Sequence, residues 1–192
     1  MRVIAGALRG RRLRAPRGRD TRPTPDRVRE ALFAALEPLE GLRVLDLYAG
    51  SGALGIEALS RGAAHLVLVE RSHAALSAVR DNLAELGIGA QAIVLGTALE
   101  RSLAAISELG PYDLVLADPP YADVASERVT PLLDRLLADR AVLRPSGLVV
   151  IEHAARDRPP ELRAVRLVRT RTYGDTALSW YAPGAEEASP RA

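Results

Sequence analysis

The chain has 192 residues, 48 % of them hydrophobic and 4 % aromatic, enough for one domain with a sizeable core built mostly of Leu, Val, Ala and Ile. The absence of cysteine excludes a disulfide framework or a thiolate metal site; no apolar run approaches a membrane span, and the basic amino terminus lacks a leader's apolar stretch, so a cytoplasmic protein without membrane contact is expected. The net charge of +2 hides an asymmetry: residues 1–30 hold 10 Arg against Asp20, Asp26 and Glu30, while the remainder holds 16 Arg against 21 acids.

All basic residues are Arg. An Arg-dense segment on a near-neutral body suggests a polyanion contact, because the guanidinium forks onto phosphates and stacks on bases. Arg2–Gly6 and Gly10–Arg14 read as two short strands around a Gly-bounded turn, a small basic hairpin. Pro16 to Pro23 is an Arg/Gly/Pro linker. Thr24 then offers an N-cap, Pro25 suits the first helical position and Asp26 favours a helix N-terminus. Val28, Ala31, Leu32, Ala35 and Leu36 form one helical stripe that ends at Pro38 and Gly41.

From Leu42 the pattern alternates. Strands are expected at Val44–Leu47, Leu66–Val69, Ala90–Leu95, Tyr112–Ala117 and Leu148–Glu152. Helices are expected at Ala53–Ser60, His73–Leu86, Leu99–Leu109 and Glu127–Ala138. Such alternation means right-handed βαβ units and a parallel sheet covered on both faces. Val165–Thr172 and Ala177–Tyr181 are separated only by Tyr173-Gly174-Asp175-Thr176, too short for a parallel crossover, so they form an antiparallel hairpin. Three units follow: residues 1–22 as a basic extension, 23–182 as the main domain and 183–192 as a flexible tail.

The first strand of the alternating region runs into Asp46-Leu47-Tyr48-Ala49-Gly50-Ser51-Gly52-Ala53-Leu54-Gly55, with Glu70 at the end of the next strand. The glycine pattern and the later carboxylate also fit a dinucleotide fold. Asp46, four residues before the first glycine, argues otherwise: it would repel a pyrophosphate but suits S-adenosylmethionine, which carries an ammonium and a sulfonium. At the end of the fourth strand stand Asp118-Pro119-Pro120-Tyr121. The prolines fix φ and remove two N–H donors, so the carbonyls there are expected to face outward as acceptors. Asp118 adds a charged acceptor and Tyr121 a stacking face, which suits a flat ring bearing an exocyclic amine.

Together these residues resemble class I methyltransferases acting on an exocyclic amine. The opening Arg2-Val3-Ile4-Ala5-Gly6, Arg9-Gly10-Arg11, Thr21-Arg22-Pro23-Thr24 with Asp26-Arg27-Val28-Arg29-Glu30, and the later Tyr173-Gly174-Asp175-Thr176 narrow this. They resemble the RsmD family, which methylates guanine N2 in 16S ribosomal RNA. The resemblance covers about residues 1–182. It implies a Rossmann-like seven-stranded sheet with an antiparallel last strand, plus the small basic hairpin. It also implies S-adenosyl-L-methionine as cofactor and 16S rRNA as partner. A small basic hairpin is a thin basis for selecting one base among many, so the assembled 30S subunit is the expected substrate, and a monomer the expected state.

The cofactor set implied is Asp46, Tyr48, Ala49, Gly50, Ser51, Gly52, Glu70, Arg71, Thr97, Ala98 and Asp118. The catalytic set is Asp118, Pro119, Pro120 and Tyr121, with Tyr121 stacking on the flipped base. Arg9, Arg11, Arg12, Arg14, Arg17, Arg19, Arg22 and Arg27 are candidates for RNA phosphates; Arg22 and Arg27 equally fit a clamp of the linker onto the sheet domain. Relatives usually carry an acid where this chain has Thr97, which predicts modest cofactor affinity.

His65, His73 and His153 show no metal-ligand spacing and read as surface or strand-end residues. Trp180 and Tyr181 read as core, and Phe33 as a helix anchor. Glu152 fits a place at the site as well as a structural role. A DNA adenine-N6 methyltransferase would share the loop and tetrapeptide, but the chain has no room for a target-recognition domain. A nicotinamide oxidoreductase would lack its Tyr-x-x-x-Lys, since lysine is absent. A non-catalytic RNA-binding module leaves the intact tetrapeptide unexplained.

Overall fold

The computed structural model describes residues 1–16 and 25–184. Its helices are α1 (Asp26–Ala34), α2 (Ala53–Ser60), α3 (His73–Glu85), α4 (Leu99–Leu109), α5 (Tyr121–Ala125) and α6 (Thr130–Leu137). Its strands are β1 (Arg43–Leu47), β2 (His65–Val69), β3 (Ala92–Leu95), β4 (Tyr112–Ala117), β5 (Leu143–Ala154), β6 (Val165–Tyr173) and β7 (Thr176–Pro183). The strands form one seven-stranded sheet in the order β3-β2-β1-β4-β5-β7-β6. The first five are mutually parallel, and β7 runs antiparallel to both β5 and β6. This is the class I methyltransferase sheet that the resemblance implied.

Both sheet faces are covered, which is why the strands read as continuous apolar runs. One face packs Val44, Leu68, Leu116, Val150, Leu178 and Trp180 under Val3, Leu13, Val28, Leu32, Phe33 and Ile56. The other packs Leu45, Val67, Val115, Ile151 and Tyr181 against Leu99, Ile106, Leu133 and Leu136 of α4 and α6. Among the described residues no helix is long and apolar enough to cross a membrane.

Three elements differ from expectation. The helix expected over Glu127–Ala138 begins only at Thr130, and the short α5 precedes it. Pro120 presets the α5 start, while Glu127 adopts a φ of 56° that no helix continues through. β5 starts at Leu143 instead of Leu148: Pro145 and Gly147 look like punctuation, yet a register shift between Tyr112 and Leu114 lets the strand pass them. The amino-terminal hairpin holds a single Arg2–Arg12 bridge instead of two regular strands. The N-cap expected at Thr24 lies outside the described residues; Pro25 sits at the helix boundary.

The hairpin is docked onto the domain and does not project as an arm. Val3 and Leu13 are buried in the core. Glu57, fully buried on α2, accepts the N–H groups of Ile4 at 2.7 Å and Ala5 at 3.0 Å and pairs with Arg61 at 2.8 Å. Gly6 has a φ of +79°, and a Cβ there would lie 1.7 Å from the Ser60 carbonyl oxygen, so only glycine fits. The buried guanidinium of Arg29 donates to the Arg2 carbonyl at 2.6 Å and to Asp26 at 2.8 Å.

Candidate active site

Residues in register on parallel strands point to the same face of a sheet. Leu68, Asp46, Leu116 and Val150 are such a row across β2, β1, β4 and β5. Two residues further on, the period of two brings Glu70, Asp118 and Glu152 to that face. Four adjacent strands therefore each contribute one carboxylate at or near the carboxyl rim of the sheet, Asp46 one row lower than the others.

Asp46 is buried, and its Oδ2 accepts the Gly55 N–H at 2.9 Å. A Cβ on Gly55 would lie 2.6 Å from Leu66 and 3.0 Å from Asp46 Oδ2, so this glycine is what lets α2 approach β1 closely. Asp46 Oδ1 is buried with no hydrogen-bond partner among the described residues. Burial, above all, pushes the carboxyl up to about 7. A buried carboxylate oxygen without a donor is a costly arrangement unless a cation or donor meets it.

Glu70 is fastened to backbone. Its Oε2 accepts the Gly50 N–H at 2.8 Å, and Oε1 accepts Arg71 N–H at 2.7 Å and Ser72 N–H at 2.8 Å. That occupies three of the roughly four lone-pair sites of a carboxylate and leaves one for a further donor. Glu70 thus ties the glycine loop to the start of α3. Gly50 and Gly52 take left-handed φ values of +56° and +79°, and no atom lies nearer than 4.0 Å to where a Cβ on Gly50 would stand. Tyr48 also has a left-handed φ, 60°, a strained conformation for an aromatic residue. Burial raises its hydroxyl to about 12, with Glu100 and Asp123 adding to the effect.

Not every loop residue faces the same way. Ser51 Oγ lies 3.4 Å from the Met1 sulfur, and its carbonyl accepts from Asn82 at 2.9 Å. Ala49 N–H is spent on the Val69 carbonyl at 3.1 Å. Arg71 is exposed, Thr97 is half-buried two residues past β3, and Ala98 is the residue before α4.

At the tetrapeptide, Asp118 N–H reaches the Leu47 carbonyl at 3.4 Å, which holds the ends of β4 and β1 together. The prolines do not both present outward carbonyls. The Pro120 carbonyl accepts Asp123 N–H at 2.8 Å and Val124 N–H at 3.3 Å, because α5 starts there and uses it. The Pro120 carbonyl is therefore spent inside α5. Tyr121 is half-buried, and its hydroxyl lies 3.2 Å from Glu152 Oε1 and 3.0 Å from Thr176 Oγ1. Burial raises its ionisation above the usual phenol range. Tyr121 of the tetrapeptide is thus clasped to β5 and β7, with Glu152 beside it. Thr176 was invisible to spacing arguments, although the Tyr-Gly-Asp-Thr segment that ends in it had marked the region.

His153 is buried in β5, not at the surface: its Nδ1 lies 3.0 Å from the Ala154 carbonyl and its Nε2 2.8 Å from Ser179 Oγ. Burial lowers its basicity. Phe33, Trp180 and Tyr181 are core, as read.

The candidate RNA arginines divide. Arg14 pairs with Glu85 and lies 3.7 Å from Asp81, and Arg11 donates to the Glu85 carbonyl at 2.8 Å, so both bind the hairpin to α3. Glu85 raises the Arg14 guanidinium further. Arg9, Arg12 and Arg27 are exposed without a carboxylate partner among the described residues. The clamp onto the amino-terminal segment is Arg29, which the charge pattern did not single out. Arg17, Arg19 and Arg22 lie outside the described residues.

Comparison with known proteins agrees with this fold. The family described as Conserved hypothetical protein 95 matches residues 1–182. The ribosomal RNA small subunit methyltransferase D of Escherichia coli strain K12 is 36 % identical over 184 residues, covering 94 % of this chain and 89 % of that protein. Its namesake from Haemophilus influenzae is 34 % identical over 162 residues, 83 % of this chain and 81 % of that one. The solved structure of a hypothetical protein from Thermus thermophilus superposes with a TM-score of 0.78 at 32 % identity, covering 95 % of this chain and 99 % of that chain. The chain therefore belongs to the Conserved hypothetical protein 95 family, the family of the ribosomal RNA small subunit methyltransferases D.

Proposed function

We propose that this chain transfers a methyl group from S-adenosylmethionine to the exocyclic N2 of one guanine in 16S rRNA, within the assembled 30S subunit. The observation that carries the reading is the place of Asp118 and Pro119 directly after β4, beside an aromatic ring whose hydroxyl meets Glu152 and Thr176. The naming of the relatives as small-subunit rRNA methyltransferases supports the substrate class.

The cofactor fits the residues present. The orphaned Asp46 oxygen suits a cationic group, the space above Gly50 admits a ligand against the loop, and Glu70 keeps one acceptor site for a hydroxyl. Thr97 and Ala98 would border its adenine. When bound, S-adenosylmethionine supplies an electrophilic methyl group on a sulfonium.

The guanine amine is a poor nucleophile because its lone pair is delocalised into the ring. Asp118 and the Pro119 carbonyl accept its two N–H protons, draw the nitrogen towards a tetrahedral shape and stabilise the positive charge that develops. Each such bond to a charged group contributes about 1.5–3 kcal/mol. With the nitrogen held by these acceptors, transfer of the methyl group would form the nitrogen–carbon bond and leave the carbon–sulfur electron pair on sulfur. The acidic N–H proton of the methylated amine then passes to Asp118 or to water. Tyr121 stacks on the extruded base, and a base in an RNA loop costs least to extrude.

The test is transfer of labelled methyl to unmodified 30S subunits, naked 16S rRNA and duplex DNA, with nucleoside analysis. N2-methylguanosine from the subunits, lost in Asp118→Ala with cofactor binding kept within several-fold, is the expected result. N6-methyladenine, or no transfer to any substrate, overturns the reading.

A further inference from the structure

β6 is the edge strand of the sheet and pairs with β7 alone. It reads Val-Arg-Leu-Val-Arg-Thr-Arg-Thr-Tyr, with three arginines and no acid. By strict alternation Arg166 would point away from Arg169 and Arg171. The pairing shifts by one residue between Leu167 and Arg169, leaving Val168 as the extra residue of a bulge. Arg166 consequently stands opposite Ala182, Arg169 opposite Trp180, Arg171 opposite Leu178 and Tyr173 opposite Thr176. Those partners alternate along β7, so all three arginines and Tyr173 share one face.

That face is the one under α1 and the docked amino-terminal segment, since Trp180 and Leu178 pack with Val3, Leu13, Val28 and Phe33. The Arg169 guanidinium lies over the Trp180 ring, 4.4 Å from its centroid. Stacking fixes the planar fork and leaves its N–H edge for an acceptor. Arg166 and Arg171 are exposed, and no ion pair joins any of the three to a carboxylate among the described residues. The row ends at Tyr173, opposite Thr176, whose hydroxyl meets Tyr121 of the tetrapeptide. Charges that merely block edge-to-edge pairing serve on either face. A bulge that gathers them on one face, leading to the rim of the site, calls for a directional partner. Three guanidiniums without a carboxylate partner among the described residues match a phosphate backbone.

We propose that Arg166, Arg169 and Arg171 form a phosphate-binding stripe that grips the RNA backbone flanking the target base; this rests on the rRNA methyltransferase reading above. The stripe is separate from the amino-terminal arginines and gives the enzyme a second grip on the same face of the sheet.

The experiment compares wild type, Arg166→Gln/Arg171→Gln, which leaves the Arg169–Trp180 stack intact, and Arg101→Gln on α4, which packs on the opposite face. Binding to fluorescein-labelled 16S rRNA and to unmodified 30S subunits is measured from 50 to 300 mM KCl, alongside methyl-transfer kinetics. Two lost phosphate contacts should flatten the log–log salt slope by about 1.5, and KM should rise about ten-fold with the loss falling on KM and not on kcat. Arg101→Gln should match wild type. Unchanged slope and KM in the double variant overturn the stripe, and so does a loss confined to kcat, which would mark a structural edge. Wild type that binds neither RNA also overturns it. A wild type that shows the stripe-dependent slope but transfers no methyl group would sink the proposed reaction alone.

Discussion

The Tyr121 hydroxyl lies 3.2 Å from Glu152 Oε1, which joins the aromatic residue of the β4 tetrapeptide to the next strand of the sheet. Thr176 completes the clasp from β7 at 3.0 Å. In the proposed reaction, a base stacked on Tyr121 would inherit its position from these two residues. Tyr121→Phe keeps the ring and removes the clasp, so methyl transfer should slow by about ten-fold, in line with a lost hydrogen bond to a charged group. Glu152→Gln and the double variant close a cycle, and a coupling of about 1 kcal/mol in kcat/KM is expected. Additive effects would show that Glu152 does not act through Tyr121. Because burial raises the phenol, no Tyr121 titration should shape the pH–rate profile between pH 7 and 9.

Asp46 should leave a signature in stability against pH. Its carboxyl is pushed from 3.8 to about 7, so between those values the folded protein holds a proton that the unfolded chain has released. The folded state binds more protons there, and stability falls as pH rises from about 4 through 7, by at most about 4 kcal/mol. Asp46→Asn should flatten that slope in urea unfolding from pH 5 to 8. A cationic cofactor beside the carboxyl favours its ionised form. Binding of S-adenosylmethionine near pH 6 should therefore release protons, read by calorimetry in buffers of different ionisation enthalpy. The absence of proton release would separate Asp46 from the cofactor.

Glu57 is the anchor of the amino-terminal segment. Glu57→Gln keeps one acceptor oxygen but abandons the Arg61 pair and one of the two backbone donors. A loss of about 2–4 kcal/mol is expected in chemical unfolding, the usual cost of stranding buried polar partners. The specific readout is amide hydrogen exchange, which should accelerate at Ile4 and Ala5 before it does so in β4. Uniform acceleration throughout the sheet would make Glu57 a general core residue.

Thr97 offers a neutral hydroxyl just before α4. Thr97→Asp should tighten S-adenosylmethionine binding by about ten-fold through a charge-assisted bond to the adenine amine. Titration calorimetry of the free protein decides it. Sub-micromolar affinity in the wild type, or no gain in the variant, would show that the adenine is held elsewhere.

Much of the architecture is local, and local structure is written within ten or so neighbouring residues. Ala53–Ser60, Leu99–Leu109 and Tyr112–Ala117 begin and end where periodicity and glycine or proline punctuation place them. Alternating strands and helices imply the parallel sheet, and the four-residue gap after Thr172 implies the antiparallel pair. Asp46 and the tetrapeptide at strand ends are legible for the same reason, since a strand end is a local event. Partner choice is not. Arg11 and Arg14 look like phosphate ligands until α3, 74 residues away from Arg11 at Glu85, claims them. Pro120 looks like an outward acceptor until α5 uses its carbonyl. Glu152 has no visible link to the tetrapeptide until β5 sets it against Tyr121. The three β6 arginines straddle two faces by spacing and come to one face only through the bulge opposite β7. Composition and periodicity thus determine most of the elements and several of their ends, but not α5 or the early start of β5. Only tertiary packing decides which polar groups are consumed holding those elements together and which remain free for a ligand, because each hydrogen-bonding group in the folded chain is satisfied by whatever distant residue the packing brings to it.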